Sequence, residues 1–222
     1  MMSNRTLPIG IVVISLIVCV LMIHIETSLQ PAYVVKSAMK IGLFFGAILL
    51  SSGIFRTRFS MYFPDKRILM ITVAAALLVF IVILAAYALC GNLIEPEQIR
   101  DSLLSKEHIE RGNFVFTALY ITICNSFIEE IFFRGFVFLT LHQTGWKKIA
   151  YIYSAAIFAV YHIGIISTWF SWYMYIAVLA ALFMAGISLD AFAQKGNSFL
   201  CPWIIHIFAN IGINVIGFFI IL

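Results

Sequence analysis

The stretch ALYITICNSFIEEIFFRGFVFLTL, Ala118–Leu141, decides the fold. It is long and apolar enough to cross a bilayer as one helix, yet it carries Glu129, Glu130 and Arg134 in its middle. Ionisable side chains at membrane depth are costly and default to a functional reading. Two later apolar stretches carry His162 and His206. A membrane enzyme or transporter is the expectation.

Composition points the same way. Of 222 residues, 63% are hydrophobic and only 11% charged, and the mean hydropathy is +1.06, far outside the range of soluble domains. No linker, charge block, low-complexity tract or internal repeat divides the chain, so residues 1–222 read as a single transmembrane domain. The net charge of +4 is spread over loops, which suits lipid headgroups and argues against nucleic acid as a partner. Cys19, Cys90, Cys124 and Cys201 lie in or at the ends of apolar runs, without the paired spacing of a zinc knuckle or a disulfide framework. They read as lipid-facing or packing residues.

Spans of membrane length fall near Leu7–Ile25, Tyr33–Phe55, Ile68–Cys90, Phe114–Leu141, Ile149–Ser167, Trp169–Leu189 and Phe199–Leu222. The fold class is therefore all-α, a polytopic transmembrane helical bundle of about seven spans. A turn between the fifth and sixth spans is expected around Gly164–Ser171, where Ser167, Thr168 and Ser171 cluster. Lys36 and Lys40, in the first turns of the second span, are expected to snorkel to the interface. The first span lacks a small-residue cleavage site and reads as a retained helix rather than a signal peptide. Gly42 and Gly46 form a GxxxG in the second span, read as tight packing within the chain in preference to a dimer contact.

Seven spans put Arg5, Arg56, Arg58, Lys66, Arg67, Lys147, Lys148 and Lys195 on one side and Lys36, Lys40, Arg100, Lys106 and Arg111 on the other. The first side, with the N-terminus, reads as cytoplasmic. The segment Gly91–Asn113 forms a hydrated cap of loop or surface helix on the far side. The expected location is a multi-pass position in a bacterial plasma membrane.

At about 1.5 Å per residue, Glu129 lies roughly 18 Å from the cytoplasmic end of its span and Arg134 roughly 10 Å. His162, His206 and Asn210 come out at roughly 20, 10 and 16 Å in from theirs. All five share one layer, as a common polar cavity requires. Glu130 and Arg134 are i,i+4 neighbours, whereas Glu129 is rotated by about 100° from Glu130. The first pair neutralises itself, either as a helix-packing ion pair or as part of the chemistry, and leaves Glu129 as the freer carboxylate. Asn125, one turn before it, offers a supporting hydrogen bond, and Phe133, one turn after, an aromatic wall. His206, Asn210 and Asn214 form a polar stripe on the last span. Asn214 alone reads as an interhelical hydrogen-bonding group. His162 follows Phe158 by one turn.

A carboxylate, two imidazoles and a carboxamide in a secluded cavity fit amide hydrolysis, which needs a base for water and donors for the developing oxyanion. The ordered trio Glu129-Glu130-x-x-x-Arg134-Gly135, Phe158-x-x-x-His162 and His206-x-x-x-Asn210 resembles the CPBP intramembrane proteases, also called Abi or CAAX-protease-like. This family includes the eukaryotic CAAX prenyl endopeptidases and bacterial proteins linked to bacteriocin maturation or immunity. The resemblance runs over roughly Phe114–Leu222 and implies that residues 114–222 form the catalytic core.

The resemblance implies that Glu129 and His162 activate the attacking water, His206 and Asn210 hold the oxyanion, and Glu130 with Arg134 supports the site. It implies a membrane-associated peptide or protein tail as substrate, prenylated only in the eukaryotic branch. The favoured reading is a glutamate-type endopeptidase without a cofactor. A zinc enzyme with Glu129, His162 and His206 as ligands is left open, because the HExxH helix is absent but ligands from separate helices suffice in a bundle. The alternative in a different class is a non-catalytic membrane scaffold or bacteriocin-immunity protein. A proton-coupled carrier ranks below both, since no pair of broken half-helices marks a substrate site. Oligomeric state is not legible.

Overall fold

The computed structural model describes residues 6–55 and 62–221. Arg5, Arg56 and Arg58, three of the charges used to orient the chain, lie outside the described residues. Seven described helices are long and apolar enough to cross a membrane. They are α1 (Thr6–Leu29), α2 (Tyr33–Phe55), α3 (Lys66–Leu93), α5 (Phe114–Gln143), α6 (Lys147–Ile166), α7 (Trp172–Gly196) and α8 (Leu200–Ile220), with a short α4 (Pro96–Ser105) between α3 and α5. No strand occurs among the described residues. The all-α, seven-span architecture is as the hydropathy pattern implies.

The order of layers follows from burial. Residues 128–139 of α5 are buried without interruption, so this helix has no lipid face there and forms the centre. It touches α1, α2, α6, α7 and α8. By contrast α3 buries only Thr72 and Ala76 along its spanning length and lies outermost, against α8 and α7. Its continuous apolar surface is what a lipid-facing helix requires.

Lipid tails are as apolar as leucine, so helix association here rests on packing and polar contacts rather than on expelling water. Aromatic rings supply much of that packing. Phe44 of α2 stacks on Phe132 of α5, with centroids 4.1 Å apart and planes at 20°. Phe133 meets Phe158 at 5.3 Å and Tyr161 at 5.4 Å, fixing α6 against the same face. Where helices approach most closely, the residue is glycine: a Cβ on Gly186 of α7 would stand 2.8 Å from the Ala155 Cα of α6.

Three expectations need correction. Lys36 and Lys40 do not snorkel. Both are buried on the inward stripe of α2 that continues through Phe44, Ala47, Ile48 and Ser51, because buried carboxylates meet them there at lower cost than stretching to an interface. The second concerns α7, which begins at Trp172 and runs seven residues past Leu189, to Gly196. Asp190, one residue past the expected end, is buried and paired with Arg134, so its charge does not stop the helix. Third, Gly42 and Gly46 are not at tight contacts, since a Cβ at either would meet nothing within 4 Å.

The segment 91–113 is a surface cap that includes a helix. Ile99 and Leu103, one turn apart on α4, pack with Ile109, Phe114, Trp169 and Phe170. Ser102 Oγ and Thr168 Oγ1 share a hydrogen bond of 2.9 Å, and Lys106 Nζ donates to the Gly164 carbonyl at 3.1 Å.

The α6–α7 contact gives a direct test of packing. Gly186→Val should drive these helices apart and cost about 1–3 kcal/mol, read as a lower thermal midpoint in detergent, whereas Gly46→Ala should leave the midpoint unchanged.

Candidate active site

The central helix does not keep one hydrogen-bond register. Its backbone runs through wide i→i+5 turns at Ile121–Asn125 and Ile131–Phe138, with an ordinary α-helical turn, Ser126–Glu130, between them. Such bulges shift the phase of the side chains that follow and recur at functional sites. Glu129 and Glu130 lie in the segment between them.

The two carboxylates have separate sets of partners. Glu129 Oε1 accepts from Lys40 Nζ at 3.0 Å, Asn125 Nδ2 at 2.9 Å and Tyr161 OH at 3.1 Å. Its other oxygen, Oε2, faces His162 Nε2 at 4.0 Å and His206 Nε2 at 3.9 Å. Glu130 Oε1 accepts from Arg134 Nη1 at 2.9 Å and from His206 Nδ1 at 2.7 Å. His206 therefore stands between the glutamates, held by one and turned toward the other. The two glutamates keep separate partners, but Glu129 is not the freer carboxylate: its Oε1 meets the Lys40 ammonium and two further donors.

Arg134 is fully buried and makes a second ion pair with Asp190 of α7, Nε to Oδ1 at 3.3 Å. Ser154 Oγ donates to the same Asp190 oxygen at 3.1 Å. The guanidinium also lies over the Phe158 ring, 4.1 Å from its centroid, a contact that desolvation strengthens. Phe158 thus separates Arg134 from His162, whose ring meets it edge-on at 4.6 Å.

His162 sits at a break in α6. Its backbone N–H donates to Ala159 O at 3.1 Å, a tightened turn, and its Nδ1 lies 2.7 Å from the Phe158 carbonyl. A carbonyl only accepts, so Nδ1 carries the proton and Nε2, on the Glu129 side, presents a lone pair when the ring is neutral. The same reasoning puts a proton on His206 Nδ1, opposite the Glu130 carboxylate.

Asn210 is nearly buried, and its Nδ2 donates to the Ile121 carbonyl at 3.2 Å, in the first wide turn of α5. Asn214 Nδ2 donates to Thr122 Oγ1 at 3.0 Å and Ala118 O at 3.3 Å, the interhelical role expected of it. Glu129, Glu130, Arg134, Asn125, Phe158, His162 and His206 are thus gathered in one cluster. Asn210 is anchored on the adjoining turn.

Three members of the cluster escaped the sequence reading: Lys40, Tyr161 and Asp190. Lys40 also donates to Asn125 Oδ1 at 2.6 Å and lies over the Tyr161 ring at 5.1 Å. Its signal was its phase with Phe44, one turn on. Asp190 had a signal too, an aspartate inside the helical run SLDAFA.

No group of three histidine, cysteine, aspartate or glutamate side chains among the described residues is arranged to hold a metal ion. Two ligands at about 2.1 Å on a tetrahedral zinc stand about 3.4 Å apart, and the Glu129–histidine separations of 3.9 and 4.0 Å are wider. The Glu129 charge is already met by the Lys40 ammonium.

Removing the guanidinium should strand Glu130 and Asp190. Arg134→Met should lower stability by about 3–5 kcal/mol, the cost of breaking a buried pair from one side, as measured by denaturant titration in detergent.

Residues 111–212 match the family model of the Rce1-like proteins, described as type II CAAX prenyl endopeptidase Rce1-like. No curated protein and no solved structure gives a significant match to the chain. The matched segment contains both glutamates, Arg134, both histidines, Asp190 and Asn210, and it includes the centre of the bundle. The segment 111–212 is thus similar to the Rce1-like CAAX endopeptidases, in keeping with the CPBP resemblance that its motifs carry.

Proposed function

We propose that this protein is an intramembrane endopeptidase that hydrolyses a peptide bond in a membrane-associated peptide or protein tail, with Glu129 as the base that activates water. The observation that carries the proposal is the convergence of Glu129 Oε2, His162 Nε2 and His206 Nε2. Separations of 3.9 and 4.0 Å are too long for direct hydrogen bonds and suit one water at about 2.8 Å from each group.

In this reading the water donates one hydrogen to Glu129 Oε2 and the other to the His162 Nε2 lone pair, leaving its own lone pair directed at the scissile carbonyl. Attack transfers a proton to Glu129. Collapse of the tetrahedral intermediate breaks the C–N bond, and Glu129 returns that proton to the leaving amine nitrogen. His206 is the donor to the oxyanion. With Nδ1–H held by Glu130, a protonated Nε2 offers its hydrogen to the developing charge, and Glu130 balances the imidazolium. Asn210 contributes the second amide hydrogen of Nδ2, the first being used on Ile121 O. Arg134 and Asp190 hold Glu130 in place.

No metal takes part in this scheme. The support is the Lys40 ammonium, which already balances the Glu129 charge through Oε1, and the room for one water between Oε2 and the two imidazoles. The excess of Lys66, Arg67, Lys147, Lys148 and Lys195 over Arg100, Lys106 and Arg111 supports a cytoplasmic N-terminus, with substrates reaching the site laterally or from that side.

The test is cleavage of a quenched fluorescent peptide library by protein purified in detergent. Glu129→Gln should lower kcat/KM by about 10²–10⁴-fold, the span of a lost general base, and a chelator should leave the wild-type rate unchanged. Cleavage that survives Glu129→Gln overturns the assignment of the base, and chelator sensitivity overturns the metal-free scheme. No cleavage by the wild type transfers the fold to a scaffold or immunity role.

A further inference from the structure

The match to the Rce1-like family model begins at residue 111, yet one of the three donors on the proposed base comes from α2, far upstream. Lys40 is 6% exposed and its ammonium touches both Glu129 Oε1 and the Asn125 oxygen that faces it. Asn125 in turn donates to the same Glu129 oxygen. The three groups form a closed triangle, and Tyr161 completes it from α6. All the direct contacts fall on Oε1, while Oε2 is turned to the two imidazoles.

A glutamate carboxylate, carried on three rotatable bonds, keeps one oxygen toward a reacting water only if the other is held. Asn125 and Tyr161 are neutral donors, and either could hold several carboxylate rotamers. Lys40 supplies the charge-assisted contact, the stronger kind. Phe44, one turn later, is stacked on Phe132 of α5, which fixes the stretch of α2 from which the Lys40 side chain reaches Glu129.

We propose that Lys40 is a positioning residue for the reaction, holding Glu129 by Oε1 so that Oε2 alone serves as the base, and that α2 thereby completes an active site otherwise built from the segment 111–212. This rests on the endopeptidase reading above. A purely structural Lys40 would tie α2 to α5 and leave turnover unaffected in any variant that folds.

A cavity of about 100 Å³, lined by Glu26, Tyr33, Lys36, Ser37, Lys40 and Asn125 among others, adjoins the ammonium. It offers room for a small cation to take the place of a truncated lysine head, which makes chemical rescue the natural test. In Lys40→Met, kcat should fall about 10²-fold, the cost of a misplaced catalytic group, with KM within about threefold of the wild type. Lys40→Arg should recover most of the rate. Ethylammonium should restore Lys40→Ala saturably, and size exclusion and the thermal midpoint should show each variant folded. Wild-type kcat in Lys40→Met, or a loss that neither arginine nor ethylammonium relieves, overturns the proposal.

One arm is independent of activity. The carboxylate infrared bands of Glu129, assigned by their disappearance in Glu129→Gln, should move in Lys40→Arg, and unmoved bands overturn the proposal. If the wild type cleaves nothing, the endopeptidase reading fails while this arm still decides whether Lys40 holds Glu129.

Discussion

Charge compensation around the α5 carboxylates is the constraint on which the rest of the structure depends. An unpaired carboxylate within a bilayer is costly, and this protein places two in adjacent positions on its most buried helix. Each is met separately. Glu129 takes the Lys40 ammonium from α2, and Glu130 takes Arg134, one turn along α5, with Asp190 of α7 sharing the guanidinium. Those partners dictate which helices must pack on α5 and in what rotation. A third cluster, Lys36 with Glu26 and Glu107, ties α1 and α2 to the cap by the same device. Buried pairs of this sort contribute little net stability but are severe to break, so they act mainly by fixing geometry.

Fixed geometry is what hydrolysis requires. The two wide turns of α5 shift its side-chain phase on either side of the glutamates, and the break at His162 turns that imidazole toward Glu129. His206 is held at Nδ1 by Glu130 and presents Nε2 to the same point. The proposed base, the histidines and their supports therefore come from five helices, α2, α5, α6, α7 and α8. Pre-arranged donors in a secluded site act without reorganisation during the reaction.

Much of this was legible in the sequence because the membrane makes polar residues conspicuous. Glu129, Glu130, Arg134, His162 and His206 stood out against apolar runs, their depths agreed, and i,i+4 spacing separated the glutamates. Seven spans followed from length and composition alone. What escaped were partners whose charge had a bland alternative. Lys40 near the end of a span reads as an interfacial lysine, and only the tertiary approach of α5 makes burial cheaper than snorkelling. Asp190 lies just past Leu189, where hydropathy ends the sixth span, and only its pairing with Arg134 shows why the helix continues. The wide turns leave no local signature that spacing could detect, and the anchoring of Asn210 on the Ile121 carbonyl depends on one of them.

The claim that Glu129 and His162 act as a unit on one water is tested most directly by a double-mutant cycle in kcat/KM. Glu129→Gln and His162→Ala should each remove most of the activity, and the double variant should be no more than about tenfold worse than the poorer single, as expected for groups that function together. Losses that multiply across the cycle would contradict the account, because they would mean that the two residues serve separate steps.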